Sequence, residues 1–244
     1  MLITGGSRGI GAAAAEMAAG RGYDVAITYL SHEQGAADVV ASCEAAGAKA
    51  MAIRGDVSSE SDVVEMFERT IRDLGPIRAF VNNAGTLHRA ARLDQFELER
   101  LQQVVSVNIV GAFLAAREAV RHMSTRHGGL GGAIVNVSSA ASYLGSPNEF
   151  IDYAATKGAV DTMTIGLAKE VATEGIRVNA VRPGLIHTDI HELSGIEGRV
   201  DKLAPNVPMQ RGGTAAEVAE VILWLASGEA SYVTGALVNC SGGR

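Results

Sequence analysis

Short apolar runs alternate along the whole chain with segments whose apolar residues recur at helical spacing. The runs Leu2–Thr4, Asp24–Thr28, Ala50–Arg54, Ala79–Asn82, Ala133–Ser138, Arg177–Arg182 and Ala236–Asn239 predict strands. Their inner positions are continuous Val, Ile, Leu and Ala rather than alternating polar and apolar, the pattern of strands covered on both faces. Between them, Ala36, Val39, Val40 and Cys43 stand at i, i+3, i+4 and i+7, with Gly47 as a stop; Val218, Val221, Ile222 and Leu225 repeat the spacing. Longer helices are expected around residues 100–125 and 150–173. Such alternation predicts an α/β fold: one doubly wound parallel sheet of about seven strands with helices on both faces. Residues 1–244 read as a single domain without tandem repeats or low-complexity tracts.

Three places break the rhythm. His127–Gly132 is glycine-rich and reads as a flexible turn before the fifth strand. The stretch from Gly184 to Gly213 exceeds the usual loop of about 2–6 residues. It predicts a substrate lid around residues 187–212, at the carboxyl edge of the sheet where ligands bind. Only four residues precede Gly5, so the first strand is expected to be short, and the sequence leaves open whether residues precede Met1.

Composition narrows the class. An apolar share of 47% in 244 residues supports a sizeable α/β core. The net charge of −6 argues against a nucleic-acid partner. No uninterrupted apolar run approaches the ~20 residues of a membrane span, and no secretory leader pattern is visible. Cys43 and Cys240 lack Cys-x-x-Cys spacing, and Cys43 falls on an apolar helix face, so a buried free thiol and a cytoplasmic location are expected. No His-Glu-x-x-His or Cys/His cluster suggests a metal, and no Gly-x-Ser-x-Gly elbow suggests a hydrolase.

Candidate chemistry lies in two places. Tyr153-Ala154-Ala155-Thr156-Lys157 puts a phenol and an ammonium on one face of the 150–173 helix, with Ser139 fourteen positions upstream. A cation beside a phenol favours its ionised form, lowering a pKa that is otherwise about 10. Near the start, Thr4-Gly5-Gly6-Ser7-Arg8-Gly9-Ile10-Gly11 joins a strand to a helix. Glycines permit the tight turn, and the helix N-terminus attracts a phosphate. The spacing is neither Gly-x-Gly-x-x-Gly nor a P-loop, since Ala12-Ala13 occupy the Lys-Ser/Thr positions. Asn82-Asn83-Ala84-Gly85 and Asp56 end strands at the same edge. Asn108 sits among Val104, Val105, Val107, Ile109 and Val110, where an unpaired amide is costly, so a polar role is expected.

Taken with Asp56-Val57, Asn108, Ser139 and Pro183-Gly184, these motifs resemble the short-chain dehydrogenase/reductase family, in the expected order from end to end. Within it, Gly184–Thr188, Pro208–Gly213 and Tyr232–Gly235 resemble bacterial oxidoreductases labelled sugar dehydrogenase or oxoacyl reductase by similarity. The resemblance implies a Rossmann-type fold and a catalytic set of Asn108, Ser139, Tyr153 and Lys157. It implies a dinucleotide held by Gly5, Ser7, Arg8, Gly9, Ile10, Gly11, Ser31, Asp56, Val57, Asn83, Ala84, Gly85, Tyr153, Lys157, Pro183, Gly184, Ile186 and Thr188. In this scheme Tyr153 is the general acid/base, Lys157 depresses its pKa and holds the nicotinamide ribose, Ser139 binds the substrate oxygen, and Asn108 holds a water leading to solvent. The family's Asn-x-x-Ser pattern selects Ser139 over its neighbour Ser138.

The expected reaction is hydride transfer between a nicotinamide cofactor and a small-molecule carbonyl or secondary alcohol. After the second strand the chain reads Thr28-Tyr29-Leu30-Ser31-His32, with no acid until Glu33 to hold a ribose 2′-hydroxyl. NADP(H) is therefore expected, with NAD(H) as the alternative. The competing readings are a non-catalytic NADP(H)-binding sensor or scaffold, and an enzyme of dehydration or epimerisation. Loop 140–152, with Tyr143, Leu144, Asn148, Glu149 and Phe150, is expected to bulge and shape the pocket. Neither it nor 187–212 shows a basic cluster, so sugars, ketones, oxoacyl thioesters and steroid-like alcohols all stay open. Glu97, Glu99 and Arg100 read as a solvated helix face. The family also implies a homotetramer, or homodimer, built on the helices around 100–125 and 150–173.

Overall fold

The computed structural model describes residues 1–188, 195–196 and 198–244. In chain order the elements are β1 (Leu2–Ile3), α1 (Gly9–Gly20), β2 (Val25–Tyr29), α2 (Glu33–Ala45), β3 (Ala50–Arg54), α3 (Glu60–Leu74) and β4 (Ala79–Asn82). Next come α4 (Leu98–Val105), a π-helical turn (Ser106–Gly111), α5 (Ala112–Met123), β5 (Gly132–Val137), α6 (Ala141–Leu144), α7 (Ile151–Val171) and β6 (Ile176–Pro183). The chain ends with β7 (Ile186–His187), α8 (Arg199–Leu203), β8 (Gly213–Thr214), α9 (Ala215–Ala226) and β9 (Leu237–Cys240).

All seven expected strands join one sheet, in the order β3-β2-β1-β4-β5-β6-β9, and every pairing is parallel. The order reverses between β1 and β4, which opens a crevice at their carboxyl ends. Successive side chains of a strand point to opposite faces, and here both faces are covered. Ile3, Ile27, Val81 and Val135 pack with Ala14, Ala18, Val39, Ile222 and Leu223 of α1, α2 and α9. Leu2, Phe80, Ile134 and Val178 pack with Val63, Phe67, Ala115, Met123 and Val171 of α3, α5 and α7. That two-sided burial is why the runs show no alternation.

The central strand is as short as its sequence suggests. Leu2 and Ile3 pair on both sides, with Ala26 and Ile27 of β2 and with Phe80 and Val81 of β4. Thr4 extends this hold: its N–H donates to Val81 O (3.0 Å), and its Oγ1 accepts from the N–H groups of Asn83 and Ala84 (3.0 Å each). One fully buried hydroxyl thus ties the end of β1 to the turn after β4.

The turn before β5 is not loose. Gly131 N–H donates to Met123 O (2.7 Å) and Gly132 N–H to Gly175 O (2.9 Å), while a Cβ on Gly132 would lie 2.2 Å from Arg78 O. Its glycines serve close backbone contact rather than mobility. Of the expected lid, residues 189–194 and 197 lie outside the described residues; β7 pairs with β8 and α8 follows Gly198. The helical run Leu98–Met123 has the length and mean hydropathy (1.3) of a membrane span, yet Ala112, Ala115, Ala116, Ala119 and Met123 are buried inside the protein, as in a core helix.

Thr4→Val keeps the shape of the side chain and removes the shared acceptor. A fully buried stranded N–H costs about 1–3 kcal/mol; both donors, of Asn83 and Ala84, are half-buried, so the lower part of the doubled range, about 2–4 kcal/mol, is the expected stability loss in urea denaturation.

Candidate active site

The first half of the site is the β1–α1 turn. Gly5 and Gly9 have φ of +65° and +57°, in the left-handed region that glycine favours. A Cβ on Gly11 would lie 2.4 Å from Gly5 O and 2.6 Å from Asn83 Nδ2, so Gly11 lets the helix close onto the turn. Asn83 braces it from β4, its Nδ2 donating to the carbonyls of Thr4 and Gly5 (2.9 Å each). Helix α1 begins without a side-chain cap and without an acid in its first turn. Its first N–H groups are therefore suited to an anion. A cavity of about 300 Å³ is lined there by Gly5, Ser7, Arg8, Gly9, Ile10, Thr28 to His32, Gly55 to Val57, Asn83 to Thr86, Gln103, Val107 and Thr188. The glycine cradle, the open helix end and the flanking hydroxyls fit a dinucleotide. At the β2 end of the cavity stand Arg8, Ser31 and His32, whose Nδ1 lies 3.3 Å from Ser7 O.

The second half lies beyond β5. A cavity of about 420 Å³ is lined by Ser139, Tyr153, Lys157, Pro183, Gly184 and Ile186, with Leu87, Leu144, Phe150, Leu185 and Leu203 as apolar walls. Ile10, Asn83, Gly85 and Thr188 belong to both cavities, so the two form one cleft across the crevice. Ser139 hydrogen-bonds Tyr153. Lys157 is buried, and its ammonium donates to Val137 O (2.8 Å) and lies 5.5 Å from the Tyr153 ring centre. Ser138 takes another task, donating to Lys157 O (3.2 Å).

Burial governs the electrostatics. It lowers the Lys157 ammonium to about 8, and the negative charge of Asp161 opposes the fall. It pushes the Tyr153 phenol up to about 12, against the pull of Ser139. The expected acidification of Tyr153 by Lys157 involves a bound nicotinamide cation as well; in the protein alone, burial is the largest influence on the phenol. The ammonium donates its hydrogen bond to a backbone carbonyl, and the phenol's shift comes from burial, opposed by Ser139. Within the protein's own electrostatics, Tyr153 is a neutral phenol at pH 7.

Asn108 lies behind the cleft, on the π turn between α4 and α5. Its Oδ1 accepts from Thr86 N–H (2.8 Å), and its Nδ2 donates to Thr86 O (2.8 Å) and Thr156 Oγ1 (3.2 Å). The amide therefore holds the loop after β4 against α7. Asp56 Oδ1 accepts from the N–H and hydroxyl of Ser58 (2.8 and 2.7 Å) and caps that turn while Asp56 also lines the first cavity. Of the expected site residues, Gly11 and Asn108 support the cleft; the others line one or both cavities. In the 140–152 loop, Ser146 and Asn148 have φ of +43° and +62°, and Leu144, Glu149 and Phe150 reach the cavity. Tyr143 instead packs under Arg182 and donates to Arg244 O (2.7 Å).

Arg100 corrects the reading of a solvated face. Its side chain is 11% exposed and grips Asp152 through Nε and Nη2 (2.7 and 3.0 Å). Nη1 donates to Arg89 O (2.7 Å), and the guanidinium lies 3.8 Å from the Phe96 ring centre. One side chain thus joins α4, the loop after β4 and the first turn of α7, beside Tyr153. Periodicity in a single helix carries no signal of such a distant partner. The cavity also gathers more positive charge than its loops suggested: Arg199 and Arg244 join Lys157, and Arg199 pairs with Glu149 while lying 5.3 Å from the Phe150 ring centre. Among the described residues, no three His, Cys, Asp or Glu side chains gather as metal ligands.

Comparison with known proteins agrees with this geometry. A family model described as "Enoyl-(Acyl carrier protein) reductase" matches residues 5–244. The chain is 51% identical over 243 residues to "Uncharacterized oxidoreductase YgfF" of Escherichia coli (strain K12), covering 100% of this chain and 98% of that protein. Two solved structures are similar throughout. The 3-ketoacyl-(acyl-carrier-protein) reductase of Brucella melitensis, complexed with NADH, has a TM-score of 0.91 at 32% identity over 100% of this chain and 96% of its own. A blue fluorescent protein from a metagenomic library, in complex with NADPH, has a TM-score of 0.90 at 34% identity, over 99% and 96%. The chain belongs to the short-chain dehydrogenase/reductase family, whose members are NAD(P)-dependent oxidoreductases.

The depressed Lys157 pKa gives a stability signature. Between about pH 8 and 10.5 the unfolded state holds the lysine proton while the folded state has lost it, so stability rises with pH in that window. Tyr153 acts only above pH 10, and in the opposite sense. From pH 7.5 to 9.5 the protein should therefore gain stability over Lys157→Met, on the order of 2 kcal/mol in urea denaturation.

Proposed function

We propose that the protein interconverts a small-molecule carbonyl compound and its secondary alcohol, with NADP(H) as the preferred cofactor. The observation that carries this reading is the single cleft in which Ser139, Tyr153 and Lys157 share walls with the glycine turn. When bound, the nicotinamide supplies or accepts the hydride. Ser139 holds the substrate oxygen beside the Tyr153 hydroxyl and stabilises charge developing there. In reduction the carbonyl carbon gains the hydride and Tyr153 gives its proton to the oxygen; in oxidation Tyr153 takes the proton back. A neutral phenol is the form that reduction needs. Lys157 holds the nicotinamide ribose and keeps a positive charge near the phenolate left after proton transfer.

The NADP(H) preference is supported by Arg8, Ser31 and His32 at the β2 end of the first cavity, with Glu33 absent from its lining. Arg8 offers a fork of donors suited to a phosphate. The same proposal takes residues 187–212 as a lid, a cytoplasmic location, and a homotetramer or homodimer built on the long helices. Exposed Val105, Val110, Phe113 and Ile165 on those helices support the last point.

Tyr153→Phe should lose at least ~100-fold in turnover while binding NADPH with unchanged affinity by fluorescence titration. Near-normal turnover would reject the assignment. In the unmodified protein kcat/KM should be higher with NADPH than with NADH, and Arg8→Ala should lower the NADPH value about tenfold or more while sparing NADH, the equivalent of about 1.4 kcal/mol. A better value with NADH in the unmodified protein would overturn the preference.

A further inference from the structure

Lys157 and Asp161 stand one turn apart on α7, and both are buried, at 4% and 5% exposure. Arg182 reaches Asp161 from β6, and both of its hydrogen bonds, from Nε (3.1 Å) and Nη2 (2.8 Å), fall on Oδ2. Oδ1 is buried and has no hydrogen-bond partner among the described residues. A carboxylate kept only for an ion pair with Arg182 would gain by presenting both oxygens to the guanidinium fork. Here one oxygen is left unsatisfied at a cost, and the nearest cation one turn back on the same helix is Lys157.

We propose that Asp161 is a positioning residue that sets the charge of Lys157, with Arg182 anchoring the carboxylate and limiting its pull. Burial alone drives the ammonium toward its neutral form, and its own hydrogen bond goes to the uncharged Val137 carbonyl. Among the described residues, the charged groups that share its cavity are Glu149, Arg199 and Arg244. On α7 its neighbours are Tyr153, a neutral phenol, and Asp161; Arg182 enters from β6 through Asp161; Asn108 on the π turn is uncharged. Asp161 therefore supplies the field that opposes desolvation. Without it, a larger share of the protein would carry a neutral amine at position 157 near pH 7.5.

This inference rests on the reading of Lys157 as a working cation of the reductase, so its test has an arm that needs no turnover. The chain has four lysines, and a lysine-selective carbon label at Cε follows each by NMR, with Lys157 assigned by the signal lost in Lys157→Met. The Lys157 signal should titrate near 8 in the unmodified protein and about one pH unit lower in Asp161→Asn. Asp161→Asn leaves Arg182 unpaired and could unfold the chain. The double variant Asp161→Asn/Arg182→Met removes both charges, and in it the downward shift should persist. A role confined to packing predicts the opposite: in folded variants the Lys157 titration stays near 8, and that result overturns the proposal. In the activity arm the alkaline limb of kcat/KM should move down with the NMR titration. A titration that moves under an unmoved limb upholds the Asp161–Lys157 coupling and refutes the role given to Lys157 in turnover.

Discussion

Two hydrogen bonds between α7 and the end of β5 fix the geometry on which the site depends. The Lys157 ammonium donates to Val137 O, and the Ser138 hydroxyl donates to Lys157 O. They run in opposite directions between the same two elements, so the helix can neither slide along the strand nor roll on it without breaking one. With α7 held there, Tyr153 lies one turn earlier on the same face, and Ser139 is the next residue of the chain beyond Ser138. The arrangement removes a cation from water, and the shifted ammonium records that cost.

A buried polar layer continues this stitching behind the cleft. Asn82 and Asn136 are register partners on β4 and β5; Asn82 donates to Asn136 Oδ1 (3.2 Å) and Ala112 O (3.0 Å), and Asn136 donates to Thr164 Oγ1 (2.9 Å) on α7. Asn108 and Thr156 add a link from the π turn to α7. Each amide is buried and partnered, as a satisfied polar network requires. Leucine at Asn136 would remove an acceptor of the Asn82 amide and the tie of this layer from β5 to Thr164 on α7.

The seven strands were legible because a parallel sheet covered on both faces writes its signal as plain apolar runs, and no boundary moved by more than one residue. The strands β7 and β8 were not legible, since two residues each carry no period. The residues that meet in the cleft were legible chiefly through the family resemblance: spacing alone put the Tyr153 phenol and the Lys157 amine on one helix face, and the family's Asn-x-x-Ser pattern picked out Ser139. Two things escaped. Spacing shows that Tyr153 and Lys157 are neighbours but not how much water each loses, and water loss decides the direction of both shifts. Arg100 lies on an otherwise polar helix face, and only the fold brings Asp152, distant by 52 positions, against it.

The wide turn at Ser106–Gly111 carries a consequence for how this chain can change length. A π turn amounts to one extra residue spliced into a regular helix. Deleting a single residue there would restore ordinary winding, and because the wide turn takes up that residue within one turn, α5 would keep the face it presents to the sheet. The alanines of α5 would still lie against the sheet, and the loss would fall on Asn108, which reaches Thr86 and Thr156 from the wide turn. A chain one residue shorter in this segment is therefore expected to keep the packing of α5 and to lose the tie that Asn108 makes between the loop after β4 and α7.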